Sequence, residues 1–454
     1  MKANIARNAS KKRQVSHHKI VITGSFNHFS TINNENIYSS EHKPFEEDPS
    51  KSKDSLLKRK YKEEGVQEEG DDDKKGFDKE EETKDDMSVW ADWLRFLKSK
   101  DAIFHAFSPE AHNIIRCGKG VSPRPSLDRS IYNKHLESHA VKEYPLPASC
   151  IKYIDAVIDS EDLIKFKKEI KRLTSGVEDG EDEEAFDFLE DIFRATYKAY
   201  SSHQDIGSSE AVFNQLFVYP YLEAVARSVK DHKCKADFIH GEVYLDSMTK
   251  QLKSLGCYIN DKFQYKADGL IKLYGIKKLE ILLLETSGPL NNADKVKINF
   301  DHHKGTFGSL ALLKCIADEF SFASVEKFKK VKVFFVHAAE SQIQLWSIRF
   351  EPEGIFDFWR ETFFDIKPDF EDKLDALPRL ISFCWTMKSL VQEAVDNIVA
   401  LREEHNIKMA KYRYSSDIPV LLYDIINPII LKLTKEEDSI GMAELGPFYS
   451  PPHD

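Results

Sequence analysis

Two acidic residues stand where a β-strand would favour apolar or β-branched side chains. Asp268 lies in Tyr265-Lys266-Ala267-Asp268-Gly269, and Glu285 follows seventeen positions later, ending Leu279-Glu280-Ile281-Leu282-Leu283-Leu284-Glu285. A carboxylate taken out of water is costly unless it is paired or ligates a metal. Two of them on neighbouring strands would repel each other without a cation between them. Hard oxygen ligands so placed suit Mg²⁺, which keeps several waters and binds phosphate. An ion held there could activate water and polarise a phosphoryl group.

The surrounding pattern says which elements must carry these residues. Ser209 can cap a helix bearing Phe213, Leu216, Phe217, Leu222 and Val225, with a kink expected at Pro220. Strands are expected over Asp237–Leu245, Phe263–Leu273 and Leu279–Thr286, the last apolar enough to be covered on both faces. Ser287-Gly288-Pro289 ends it. A long helix over Ala293–Phe320 should present Val296, Phe300, Phe307, Leu310 and Ala317 on one stripe. Lys330–His337 and Gln344–Phe350 read as two more strands, and Leu377, Ile381, Cys384, Val391, Val395 and Ile398 mark a last long helix. The predicted class is therefore α/β.

This order of helix, three-strand meander, helix and further strands resembles the core of the PD-(D/E)XK (restriction-endonuclease-like) nucleases. The resemblance spans residues 209–350, and the wider sequence is similar to uncharacterised fungal proteins with a nuclease-like core. It implies that Asp268 on the second strand and Glu285 on the third bind the metal, and that Glu210 on the first helix joins them. The family's lysine, two residues after the Glu, positions the attacking water. Position 287 is Ser, whose hydroxyl cannot supply that charge. Lys266 could substitute, since it shares a strand face with Asp268. Lys297 or Lys304 could do so from the following helix, where Lys297, Asp301 and Lys304 share a face.

Other candidates have plainer readings. Asp268-Gly269 could be a turn pair, Glu285 a cap or ion-pair partner, and Glu210 a first-turn helix acid. His303 falls on the apolar stripe and reads as a core histidine, while His302 or Lys304 could contact phosphate. His337 reads as a packing residue at a strand end. His232, Cys234, His240 and Cys257 lack paired zinc-ligand spacing. Trp346 and Trp359 read as core or interface anchors. Lys327-Phe328-Lys329-Lys330-Val331-Lys332 reads as a solvated approach to a strand, with phosphate binding as the alternative.

Residues 1–87 read as a disordered charged tail, 88–205 as a mostly helical region without a catalytic pattern, 206–410 as the nuclease-like core with its C-terminal helix, and 411–454 as an extension. Hydrophobic residues make up 41% of the 454 positions, enough for a large core. A net charge of −11 argues against coating nucleic acid by global electrostatics but leaves room for a local basic groove. Six scattered cysteines without a CxxC pair, no apolar leader and no spanning apolar run read as an intracellular protein with no membrane segment. Lys11-Lys12-Arg13 and Lys58-Arg59-Lys60 could direct nuclear import, leaving nuclear and cytoplasmic locations both open. Three functions follow: a Mg²⁺-dependent nuclease acting on DNA or RNA, a degenerate nuclease fold that binds nucleic acid or a protein, and a pure interaction scaffold.

Overall fold

The computed structural model describes residues 84–433 apart from 100–103, 105–106, 124–126, 140–141, 173–181, 257–263, 416–418 and 432. The expected disordered tail lies outside these residues, except that the first helix begins at Lys84, and so does most of the C-terminal extension. The apolar run Leu279–Thr286 forms a strand buried at every position. Among the described residues it is the fourth of seven strands in chain order. The strands are β1 (Ile114–Gly118), β2 (Lys235–Tyr244), β3 (Lys266–Tyr274), β4 (Leu279–Thr286), β5 (Val333–Ala339), β6 (Gln342–Glu351) and β7 (Ile355–Asp365). They make one mixed sheet in the order β1-β7-β6-β5-β4-β3-β2, parallel at β1/β7 and β4/β5 and antiparallel elsewhere.

The helices are α1 (Lys84–Leu97), α2 (Arg129–Ser138), α3 (Ile151–Ile158), α4 (Leu163–Arg172), α5 (Glu183–Tyr200), α6 (Glu210–Phe213), α7 (Tyr219–Arg227), α8 (Asp246–Ser254), α9 (Lys295–Glu319), α10 (Val325–Phe328), α11 (Lys373–Tyr412) and α12 (Leu422–Ile425). The order α6/α7, β2-β3-β4, α9, β5-β6 follows the expected pattern, with α8 inserted between β2 and β3. Two strands go beyond it. β7 extends the sheet past β6, and β1, from the region read as mostly helical, pairs with β7 at the edge. Strand pairing across some 240 residues leaves no local periodicity to read.

Local departures have physical causes. Ser209 does cap α6, accepting from Val212 N. Before Pro220 the chain adopts a π-helical turn, Asn214–Val218, so the missing N–H of proline is met by a widened turn that runs on into α7. The 25-residue α9 was expected to bury one stripe, yet from Phe300 to Ala317 almost every side chain is buried. It packs on β4 and β5 while α8 and α12 cover its other side. The predicted stripe of α11 is buried at all six positions. Five cysteines are free and buried, with Cys257 outside the described residues. No helix among the described residues is long and apolar enough to cross a membrane.

Glycine sets how closely α9 can approach the sheet. A Cβ on Gly305 would lie 2.2 Å from the Phe335 ring of β5, well inside contact distance. Gly305→Ala is therefore expected to destabilise the fold by about 1–3 kcal/mol, read as a lower urea midpoint. An unchanged midpoint would show that α9 is not held against β5 at this point.

Candidate active site

β4 carries two acids, and the fold treats them differently. Glu280 is buried with both oxygens used: Oε1 accepts from Asp246 N at 3.1 Å and Oε2 from Ser247 N at 2.9 Å, at the start of α8. Lys272 Nζ adds an ion pair at 3.1 Å. Glu280 is thus a helix cap built into a strand. Glu285 is 1% exposed, and its Oε2 accepts from Lys304 Nζ at 2.6 Å, but its Oε1 has no hydrogen-bond partner. Such an orphaned oxygen is costly and marks a place where something else binds or where strain is kept.

Asp268 reaches the same end of β4. Its Oδ2 accepts from Thr286 N at 2.6 Å, where the β3/β4 ladder stops. Opposite it, β2 bulges between His240 and Val243, with Gly241 at φ 90°. Glu210, at the start of α6, accepts from Gly288 N at 3.0 Å and faces Lys297 Nζ at 3.3 Å. The π-helical turn brings in Asn214, whose Oδ1 accepts from Thr286 Oγ1 at 2.8 Å.

Lys297, Asp301 and Lys304 do share one face of α9, and that face meets the strand ends. Lys297 Nζ donates to Asp301 Oδ2 at 2.7 Å and to Thr286 O at 3.0 Å. Lys304 lies over the Tyr265 ring, whose hydroxyl donates to the Lys304 carbonyl. Lys266 is not brought to this group. Beside the β2 bulge it pairs instead with the exposed Glu242, at 2.8 Å. Glu210, Asp268 and Glu285 also do not close into a three-ligand cluster. Among the described residues, the trio whose ligand atoms all lie within 4.8 Å of one another is His135, His139 and Asp357.

Ser287, where a lysine was expected, is fully buried and committed. Its Oγ donates to Asp301 Oδ2 at 2.9 Å and lies 2.9 Å from His337 Nε2. A hydroxyl has one proton, so His337 must donate through Nε2, leaving its Nδ1 as acceptor. His302 Nδ1, 3.2 Å away, is then the donor. His302 is thus turned into an inner polar chain among Phe335, Trp346 and Phe358, away from any phosphate-facing surface. His303 is fully buried and donates through Nδ1 to Asn299 O at 2.7 Å, as a core histidine. Trp346 is fully buried, as expected of a core anchor. His337, read as a packing residue, proves to be a cross-strand partner of Glu285 in the parallel β4/β5 register.

Electrostatics follow from burial. Desolvation pushes the Asp268 carboxyl up to about 6, aided by Glu210 and Asp301 and opposed by Lys304 and the Thr286 N–H. Desolvation, reinforced by Asp268 and Asp301, raises Glu285 well above the carboxylate range, against the pull of Lys304. Burial would lower Lys304, but the carboxylates of Glu285, Asp268 and Asp301 outweigh it and keep the ammonium charged. Burial pushes His337 down to about 4, so it is neutral at neutral pH, as the tautomer argument requires.

No family model, curated protein or solved structure matches the chain. The site's chemistry therefore rests on its own geometry. Two desolvated carboxylates, one with an idle buried oxygen, converge beside a protected ammonium, an arrangement suited to a hard cation and a phosphate oxygen.

Asp268 provides a thermodynamic check. Its folded pKa lies above the ordinary value of 3.8, so the folded state binds its proton more tightly than the unfolded state. The resulting destabilisation is absent below pH 4, grows as pH rises to about 6, and is constant above that. In the absence of divalent cations, Asp268→Asn should raise stability at pH 7–8 by on the order of 1–2 kcal/mol, and the gain should vanish near pH 4. A loss of stability at pH 8 would mean that Asp268 is a structural cap.

Proposed function

We propose that this chain is a Mg²⁺-dependent phosphodiesterase acting on nucleic acid, built on a restriction-endonuclease-like core. The observation that carries the reading is the state of Glu285: one oxygen held by Lys304 at 2.6 Å, the other buried without a partner. Glu280 on the same strand supports it by contrast, because a purely structural acid there has every oxygen satisfied. The order of α6, the meander β2-β3-β4 and α9, with Asp268 on the second meander strand and Glu285 on the third, supports the fold assignment.

In this reading Asp268 and Glu285 are the metal ligands, with Glu210 reaching the ion through water. When bound, Mg²⁺ would supply Lewis acidity and an activated water. Lys304 takes the role of the family's lysine, presenting a fixed ammonium beside the carboxylates to stabilise negative charge on phosphate. Asp301 and Glu210 hold Lys297 as a second cation at the rim. Lys266, paired with Glu242, serves the strand surface instead. Holding the ion needs both carboxylates ionised, and burial raises Asp268 to about 6 and also raises Glu285 well above the ordinary range, so activity should be low at pH 6 and rise as pH climbs above it.

A second reading, a degenerate fold that binds nucleic acid without cutting it, draws on Ser287, whose hydroxyl is fully engaged by Asp301 and His337. One assay separates the two. Purified full-length protein is incubated with single- and double-stranded DNA and RNA in Mg²⁺, Mn²⁺ or EDTA. Metal-dependent cleavage is expected, abolished by Glu285→Ala, lowered about 10²-fold or more by Lys304→Met, and retained by Lys266→Ala. Nucleic-acid binding without cleavage would establish the second reading, and cleavage unaffected by Glu285→Ala would remove these residues from the chemistry.

A further inference from the structure

A second cluster lies at the other end of the sheet. His135 and His139 are four residues apart on α2 and its C-terminal cap, so both rings project from one helix face. Asp357 is on β7, paired with Ile115 of β1 on one side and Arg349 of β6 on the other. His135 Nε2 lies 3.2 Å from Asp357 Oδ1, and His139 Nε2 lies 2.8 Å from Asp357 Oδ2. β5 and β6 separate this strand from β4, so the cluster is distinct from the Asp268–Glu285 site.

His135 carries the argument. It is fully buried, yet neither ring nitrogen makes a hydrogen bond, and Asp357 Oδ1 beside it makes none either. A neutral imidazole always offers one donor and one acceptor, so leaving both unused in an apolar shell is expensive. The shell is aromatic: Trp90, Trp93 and Trp359 lie 5.1, 5.7 and 5.6 Å from the His135 ring. His139 is stacked on Trp359 at 3.6 Å, which fixes its direction.

We propose that His135, His139 and Asp357 form a Zn²⁺-class metal site, with a water completing the coordination, that staples α2 to β7. Two imidazole nitrogens and one carboxylate oxygen are borderline donors that suit zinc, cobalt or nickel over magnesium. Around a tetrahedral ion with bonds of about 2.0–2.1 Å, neighbouring donors sit about 3.3–3.4 Å apart. The 3.2 Å spacing from His135 Nε2 to Asp357 Oδ1 is close to that edge, and one ligand atom from each of the three residues lies within 4.8 Å of the others, so closing on an ion needs only small side-chain shifts. Arg349 is the competing cation, with Nε 3.2 Å from Asp357 Oδ2. It also contacts Glu351 at 2.7 Å, so it keeps a carboxylate partner when a metal takes Asp357. The ion would tie α2, and α1 packed on it, to the sheet edge through the small core of Trp90, Trp93, Tyr132 and Trp359.

The test uses the full chain with Glu285→Gln, which disables the first site, stripped with chelator and titrated with Co²⁺ and then Zn²⁺. One ion per chain should bind, cobalt should give the visible bands of four-coordinate geometry, tryptophan emission should change, and Zn²⁺ should raise the melting temperature. Asp357→Asn and His139→Gln should each lower affinity tenfold or more. X-ray absorption of the zinc-loaded protein, which does not depend on those variants folding, should find two imidazole nitrogens among the ligands. Absence of tight binding, cobalt bands of six-coordinate type, or a zinc shell without imidazole would overturn the proposal.

Discussion

The structure around the candidate active site depends on one constraint: a carboxylate with an unused oxygen stands at the end of a strand that is buried at every position. Glu285 must be neutralised where water does not reach, and α9 does this with Lys304. The close approach of α9 to β5 requires Gly305, the residue beside that lysine. Lys304 is in turn held under Tyr265, just before β3, and Asp268 on β3 caps the N–H that follows Glu285. Helix, strand end and bulge are therefore fitted around a charge that the apolar core alone would not tolerate.

Asp301 extends this arrangement inward. It receives the protons of Ser287 and Lys297, linking the surface of the site to His337 and His302. The two histidines are neutral because burial and nearby cations penalise a second proton. A neutral relay with fixed tautomers is a rigid support, since reversing any hydrogen bond would reverse the others. Ser287 thus ties Asp301 of α9 to His337 of β5, its hydroxyl donating to the one and accepting from the other.

Much of this was legible in the sequence where the signal is local. The apolar run ending in Glu285 announced a covered central strand, and the spacing of Lys297, Asp301 and Lys304 announced one helix face directed at one place. The apolar stripe of α11 was equally plain. What escaped depends on pairings far apart in the chain. His337 gained its meaning from the parallel β4/β5 register, which no local pattern encodes. Lys266 shares a strand face with Asp268, but the bulge in β2 supplies Glu242 as its partner. The His135-x-x-x-His139 spacing was there to be read, but its third member, Asp357, lies more than two hundred residues on, inside the aromatic strand β7.

We propose that Asp268 and Glu285 together hold a divalent cation beside Lys304. Manganese titration followed by electron paramagnetic resonance tests it without a substrate, using His139→Gln protein so that the second cluster does not contribute. One Mn²⁺ per chain should bind at pH 7.5, be displaced by excess Mg²⁺, weaken as pH falls toward about 6, and be lost in Glu285→Gln. Manganese binding that persists unchanged in Glu285→Gln, or no binding in the parent protein, would contradict it.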